Sequence, residues 1–398
     1  MIVVVIDSME RYYFAARLVK AVRKEFGFLF ATSEPVAHLM ALSAGIRSVY
    51  LRRGAPMPAA SDAAAAIRSD ASIEVLNGQM TPGLARADAA AIYAAMSNVF
   101  RRRLISQCLM WNGQQLVCRA VAHACAAHGV PTKFVEISNL PDKLFVDRLG
   151  VNALSSISRS PAVIDGLPMP TEDEHRRWLA RYERYKARPL PQARTSWRRK
   201  AVSAVNYALK TATQGVARKR FDTVRATNGA LAPAEAKALT AKELSAVRYV
   251  FLPLQVSGDT QIKLHSDVDN LKAIQLAFEH AANESADLIV KLHPAECDTA
   301  VIDEVVRMQR VYRFDIVTSP TTDLIRHAYS VVTINSTVGL EALLYGKPVM
   351  SLGRCFYKEF DRARLLKYIH SFLIDGIDYF GTGEIAPRAA RNVFSMKH

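Results

Sequence analysis

"LPLQVSGDTQ", Leu252 to Gln261, begins as a buried strand and stops abruptly at polar residues. A continuous apolar run of this kind suits an internal strand of a parallel sheet, which is covered on both faces and so loses the alternation of a half-buried strand. The loop bearing Gln255, Asp259 and Gln261 then sits at the strand's carboxyl end, where open α/β sheets place their ligands.

Strand and helix alternate on either side of this stretch. Before it, strands are expected at Ile2 to Ile6, Phe28 to Ala31, Ser48 to Leu51, Gln107 to Trp111 and Lys133 to Glu136, with helical segments between them. After it come a helix around Leu271 to Ala281 and strands at Asp287 to Leu292, Phe314 to Val317 and Val331 to Ile334. A helix from Val338 and a strand at Pro348 to Leu352 complete the second series. With 398 residues, 50% of them hydrophobic, the chain is long enough for two cores. The expected fold class is α/β: two Rossmann-like domains facing across a cleft, at 1–155 and 246–398, with a basic helical segment between them at 156–245.

The amino terminus, "MIVVVIDSMERYY", carries an apolar run of only five residues with acid and base directly after it, and reads as a first strand rather than a signal peptide. No stretch approaches the ~20 apolar residues of a transmembrane helix, so a cytoplasmic location is expected. Five cysteines without a CxxC pair read as free thiols. Cys118, His123, Cys125 and His128 crowd together, but their spacing matches no usual zinc pattern and a helix spreads them over different faces. Charge is concentrated: residues 176–225 hold 15 Lys or Arg against two acids, supplying +13 of the chain's +15. Trp197, Val202, Val205, Tyr207 and Leu209 interleave with these cations, as in a helix lying on anionic lipid headgroups, although a solvated linker fits equally. No nucleic-acid-binding motif accompanies the charge, so nucleic acid is not expected as a partner.

Neither a G-x-x-x-x-G-K-[ST] phosphate loop nor a G-x-G-x-x-G turn after the first strand is present, which weakens kinase, ATPase and dehydrogenase readings. "DVD" at Asp267 to Asp269 reads as a helix start rather than a metal-binding acid pair. Three constellations remain. In "LIVKLHP" the strand period puts Lys291 and His293 on one side of the strand end, and Pro294 forces the chain out of the sheet. In "TINSTVGLEALLYGKPV" a strand runs into Asn335, Ser336 and Thr337 and then a helix, whose free amides and hydroxyls can cradle a phosphate. Glu341 lies about one turn in, where it could reach ribose hydroxyls. Ordinary structure explains the same residues as a strand exit, an N-cap, a first-turn acid and, at Gly346, a C-cap. The third constellation is the opening loop, where Asp259 is the only carboxylate between Glu243 and Asp267 and can also be a turn aspartate.

Taken together, "LPLQVSGDTQI", "KLHP" with its His293 lying 34 residues after Asp259, and "INSTVGLEALLYGKPVMSLGRCFY" resemble the bacterial capsule polysaccharide synthesis family of the KpsC and KpsS type, which are β-Kdo transferases. The likeness continues in "WNGQQ" at Trp111 and in "FVEISNLPDKLFVDRLGVN", Phe134 to Asn152, and so spans roughly residues 105–155 and 245–360. It departs at Ser138, where the family has glycine, and in the basic middle, which is particular to this chain.

The resemblance implies a GT-B arrangement, CMP-β-Kdo as donor, a glycan or lipid-linked acceptor, and no metal or other cofactor. It implies retention of configuration through a covalent Kdo ester on Asp259, oriented by Gln255, with His293 and Lys291 assisting departure of CMP. Ser336 and Thr337, with Gly339 beside them, would hold the phosphate and Glu341 the ribose. Glu136 would then be the base for the acceptor, with Trp111, Asn112, Gly113 and Asn139 as further acceptor-side residues. Two other readings stay open: an inverting transferase using CMP-sialic acid, and a non-catalytic capsule export or scaffold protein.

Overall fold

The computed structural model describes residues 1–54, 66–138, 140–186, 197–216 and 233–395. Asn139, Arg188, Arg194, Arg218, Lys219, Arg220 and Arg225 lie outside the described residues, as do the side chains of Arg198 and Lys200. The chain divides into two compact units, one made of Met1–Lys219 with Leu366–His398, the other of Arg220–Leu365.

In the first unit "IVVVI" forms β1 (Ile2–Ile6), and all five residues are buried, as a β-branched strand covered on both faces should be. β2 (Phe28–Thr32) and then β3 (Arg47–Tyr50) extend the sheet to one side of β1, each pairing in parallel. β4 (Gln107–Trp111) and β5 (Thr132–Ile137) extend it in parallel to the other side. The order of the sheet therefore reverses between β1 and β4, the switch point of a doubly wound fold. β6 (Lys143–Asp147) continues this side antiparallel to β5.

The second unit repeats the scheme with five parallel strands: β7 (Tyr249–Pro253), β8 (Asp287–Lys291), β9 (Asp315–Ile316), β10 (Ser330–Thr333) and β11 (Val349–Ser351). Their order, β11-β10-β7-β8-β9, places its switch point between β7 and β10. Successive residues of β7 serve opposite layers, as the strand period requires: Val250 and Leu252 join the cluster with Ile274 and Val305, while Tyr249 and Phe251 join that with Leu324 and Ala342. Both units are Rossmann-like, as the alternating sequence pattern implies.

The chain is partitioned differently from the expected 1–155, 156–245 and 246–398. Beyond Leu366 it returns to the first unit, where Ile374–Asp375 pairs antiparallel with β6. Ile377, Tyr379, Val393 and Phe394 enter the first core, with Phe394 at 5.2 Å from Phe28 and Tyr379 at 4.8 Å from Trp111 between ring centres. Arg17 secures the return by donating to the carbonyls of Gly383 at 2.7 Å and Asp378 at 3.0 Å.

The basic middle is not simply a linker either. Its helix Trp197–Ala212 belongs to the first unit, where Asn206 and Lys210 both bond the buried carboxylate of Glu34. Lys210 is 6% exposed and so is not a cation that a lipid surface could reach. Among the described residues, no helix is long and apolar enough to cross a membrane.

Candidate active site

The second unit gathers its polar residues where β7 and β10 end. Leu254 is still tied to the sheet, its N–H donating to Lys291 O at 2.9 Å, and Gln255 follows, 6% exposed. The Gln255 backbone is held by Asn270, which accepts its N–H at 3.3 Å and donates Nδ2 to its carbonyl at 2.7 Å. The Gln255 side chain spans the switch point: Nε2 donates to Asn335 Oδ1 at 3.0 Å, and Oε1 accepts the Asn335 N–H at 3.2 Å. Such buried amides need this complement of partners. The same Nε2 lies 3.3 Å from Asp259 Oδ2, so Gln255 and Asp259 do touch.

Asp259 is half-buried and serves as N-cap of the short helix Thr260–His265, Oδ1 accepting the Gln261 N–H at 2.8 Å. Its two oxygens are thus distinguished, one capping the helix and one facing Gln255. Asp269 starts the helix Asn270–Asn283 in the same manner, as expected for "DVD".

At the end of β8, Lys291 Nζ donates to Ser319 O at 2.6 Å, and burial lowers its pKa. His293 follows in a turn where the Ala295 N–H donates to its Nδ1 at 3.0 Å. That bond makes Nδ1 an acceptor, so the neutral ring carries its proton on Nε2. Partial burial lowers the pKa of His293; Asp259 and Glu296 oppose the shift, and Lys291 adds to it. Lys291, His293 and Glu296 line a cavity of about 200 Å³ whose other walls include Ile302, Ile316 and Val317.

Past β10, Ser336 caps the helix Thr337–Leu344 by accepting the Val338 N–H at 3.2 Å. The Tyr357 hydroxyl donates to the Ser336 carbonyl and fixes the helix entry. Tyr357 can approach only because residue 339 is glycine: a Cβ there would stand 2.6 Å from its Oη. Thr337 is partly exposed at the positive end of the helix, whereas Glu341 is buried.

The first unit places Glu136 at the end of β5, where its carboxylate bonds the Ile137 N–H at 3.1 Å and the Asn112 side chain. Burial raises its pKa; Arg11, the Ile137 N–H and Asn112 oppose that shift, and Asp7 adds to it. Asn112 also accepts the Gln114 N–H at 3.1 Å, turning the chain after β4. Trp111 departs from its expected acceptor role. It is 6% exposed and packs against Phe14 and Tyr379, with the Arg11 guanidinium 4.9 Å from its ring centre, so it belongs to the core beneath these polar groups. Gly113 is needed for the backbone, since φ is +79° and a Cβ would lie 2.6 Å from the Phe134 ring.

Sequence reasoning singled out neither Glu296 and Tyr357 in the second unit nor Asp7 and Arg11 in the first. The signals were slight: an acid two residues past Pro294, a tyrosine after "RCF", and an Asp-Arg pair one helical turn apart directly after β1.

A family model described as capsule polysaccharide biosynthesis protein matches residues 107–360, more than half of the 398-residue chain. The chain belongs to this capsule polysaccharide biosynthesis family. Among curated members, the capsule polysaccharide export protein KpsS of Escherichia coli is 33% identical over 120 residues, covering 28% of this chain and 31% of KpsS. The capsule polysaccharide modification protein LipB of Neisseria meningitidis is 32% identical over 126 residues, covering 28% of this chain and 29% of LipB. The matches thus span less than a third of either relative. A solved structure of the Thermosulfurimonas dismutans KpsC β-Kdo 2,7 transferase aligns with a TM-score of 0.43 at 16% identity, covering 77% of this chain and 90% of the other.

Proposed function

We propose that this chain is a glycosyltransferase that moves Kdo from CMP-β-Kdo to a glycan or lipid-linked acceptor with retention of configuration. The observation that carries the reading is the meeting of Gln255, Asp259 and Asn335 at the β7/β10 switch point, with His293 just past the end of the neighbouring β8.

In the first step Asp259 Oδ2 attacks the anomeric carbon of Kdo while the bond from that carbon to the phosphate oxygen breaks, and CMP leaves with the electron pair. His293 stabilises the departing phosphate as a neutral Nε2–H donor, because a second proton on Nδ1 would cost the Ala295 hydrogen bond. Its part is electrostatic rather than proton transfer. Ser336 and Thr337 take the phosphate at the helix terminus, Lys291 adds positive charge, and Glu341 is assigned to the ribose. In the second step the acceptor hydroxyl attacks the same carbon, the Asp259 ester bond breaks, and the hydroxyl proton passes to a general base. Two inversions at one carbon give net retention. No metal takes part in either proposed step. The location proposed is the cytoplasm, with the cations of 176–225 other than the buried Lys210 resting on an anionic membrane surface.

The test is to incubate purified protein with CMP-Kdo and, separately, with CMP-sialic acid. CMP release, product configuration and the intact mass of the protein are then followed. Release from CMP-Kdo with a Kdo adduct on the peptide containing Asp259 supports the proposal. Release from CMP-sialic acid with inversion and no adduct replaces it with the inverting reading, and release from neither leaves a protein of export or scaffolding.

A further inference from the structure

Glu296 is 4% exposed, and its carboxylate is bound from two separate segments. Oε2 accepts the Ser257 N–H at 2.7 Å, from the loop between β7 and Asp259. Oε1 accepts the N–H groups of Cys297 and Asp298, each at 3.0 Å, just before the helix Thr299–Tyr312. The Glu296 N–H donates to His293 O at 2.9 Å and so closes the turn in which Ala295 fixes the imidazole. Bonds from N–H groups to an ionised carboxylate are about twice as strong as neutral ones, which suits a buried brace.

Helix capping does not account for this arrangement, because Asp298 already caps the helix by accepting the Ala300 N–H at 3.0 Å. The Ser257 bond serves the other segment. Asp259 lies two residues beyond Ser257 in a turn closed by its N–H on Val256 O at 2.9 Å, so a shift at Ser257 carries Asp259 with it. We infer that Glu296 is a positioning residue, fixing the loop that carries Asp259 to the turn that carries His293. Its consequence for catalysis rests on the transferase reading, whereas its geometry does not.

The experiment measures the coupling between the two residues without any donor. Among the described residues, the charged groups that act on the His293 imidazole are Asp259, Glu296 and Lys291. His293 is titrated by NMR in the wild type, Asp259→Asn, Glu296→Gln and the double variant. Asp259→Asn is expected to lower the His293 pKa in the wild-type background and to have a much smaller effect in Glu296→Gln, where the loop is released. Asp298→Asn removes a neighbouring carboxylate that bridges nothing and should leave the Asp259 effect intact. An Asp259 effect of full size in Glu296→Gln overturns the inference. If Glu296→Gln does not fold, Glu296→Asp keeps the charge but is one methylene too short to span both segments, and the same comparison decides. Should the protein cleave CMP-Kdo, Glu296→Gln is expected to lower kcat/KM by about 10²-fold, the usual effect of misplacing a reacting group by about 1 Å, with CMP affinity kept. Normal cleavage by folded Glu296→Gln also overturns the inference. Absence of cleavage by the wild type counts against the transferase reading alone.

Discussion

Replacing Gly339 by alanine separates helix propensity from the architecture of the site, because the two predict opposite signs. Within an ordinary helix this change stabilises by about 1 kcal/mol. Here the added Cβ would stand 2.6 Å from Tyr357 Oη and 2.8 Å from its Cε2. Tyr357 is 2% exposed and meets Phe356 edge-on at 5.3 Å, so its ring cannot swing into solvent to make room. Overpacking of this kind costs about 1–3 kcal/mol. Displacing the ring also loses the hydrogen bond to Ser336 O, about 1 kcal/mol more. The balance is a net loss of about 1–3 kcal/mol, measurable by urea unfolding. Since that hydrogen bond fixes the residue capping the helix, affinity for CMP, measured by calorimetry, should fall as well. Gly339→Ala combined with Tyr357→Phe removes the contact at Oη and should recover part of the stability, so the two changes will not add. A Gly339→Ala protein that is more stable than the wild type, or that binds CMP equally well, would refute the role given to Tyr357.

Other outcomes follow from the same geometry. His293→Ala should slow donor cleavage by roughly 10²- to 10³-fold, the loss expected for one preorganised donor, and near-normal turnover would remove His293 from the mechanism. With the neutral-donor role proposed for His293, and with its pKa lowered by burial, the cleavage rate of the wild type should stay flat as pH rises through the imidazole's ordinary range; a fall there would identify a general acid. Below its ordinary pKa the unfolded chain takes up the proton more readily than the fold does, so the stability contributed by His293 is present above that range and is lost as pH falls, which pH-dependent unfolding would check. Asp259→Asn should abolish transfer while leaving CMP affinity within a few fold, and an active Asp259→Asn enzyme would exclude it as nucleophile. Changing Arg198, Arg199, Lys200, Arg218, Lys219 and Arg220 to Gln should release the protein from anionic vesicles, each cation near the surface contributing about 1 kcal/mol, and unchanged binding would leave the segment as a linker.

The sheets were legible because β1 and β7 are uninterrupted apolar strings, and a strand buried on both faces has few architectures open to it. The return of the tail was not. A two-residue strand and scattered Ile374, Tyr379 and Phe394 carry no period, and their partners Leu144, Trp111 and Phe28 belong to strands formed hundreds of residues earlier. The helix Trp197–Ala212 was legible as amphipathic, but the interior place of Lys210 was not. Lys210 has the composition of a lipid-facing cation, and only Glu34, 176 residues away, makes it an interior one.

The candidate site divides along the same line, between what a local pattern states and what distant contacts decide. Asp259, His293 and Ser336 each follow a strand, so an apolar run and its polar stop were enough to single them out. Gln255 and Asn335 are 80 residues apart, and no pattern in either segment says that their amides pair across the switch point. The chemistry of His293 is a further step removed. Sequence supplies an imidazole beside a cation, from which acid catalysis is the natural reading. The backbone N–H of Ala295 then occupies Nδ1, and that one hydrogen bond leaves the proton of the neutral ring on Nε2. The turn that makes this bond is closed by Glu296, whose carboxylate also grips the loop of Asp259. The tautomer of His293 and the position of Asp259 therefore depend on the same buried carboxylate. That dependence is why coupling between them, rather than the effect of either residue alone, is the quantity to measure.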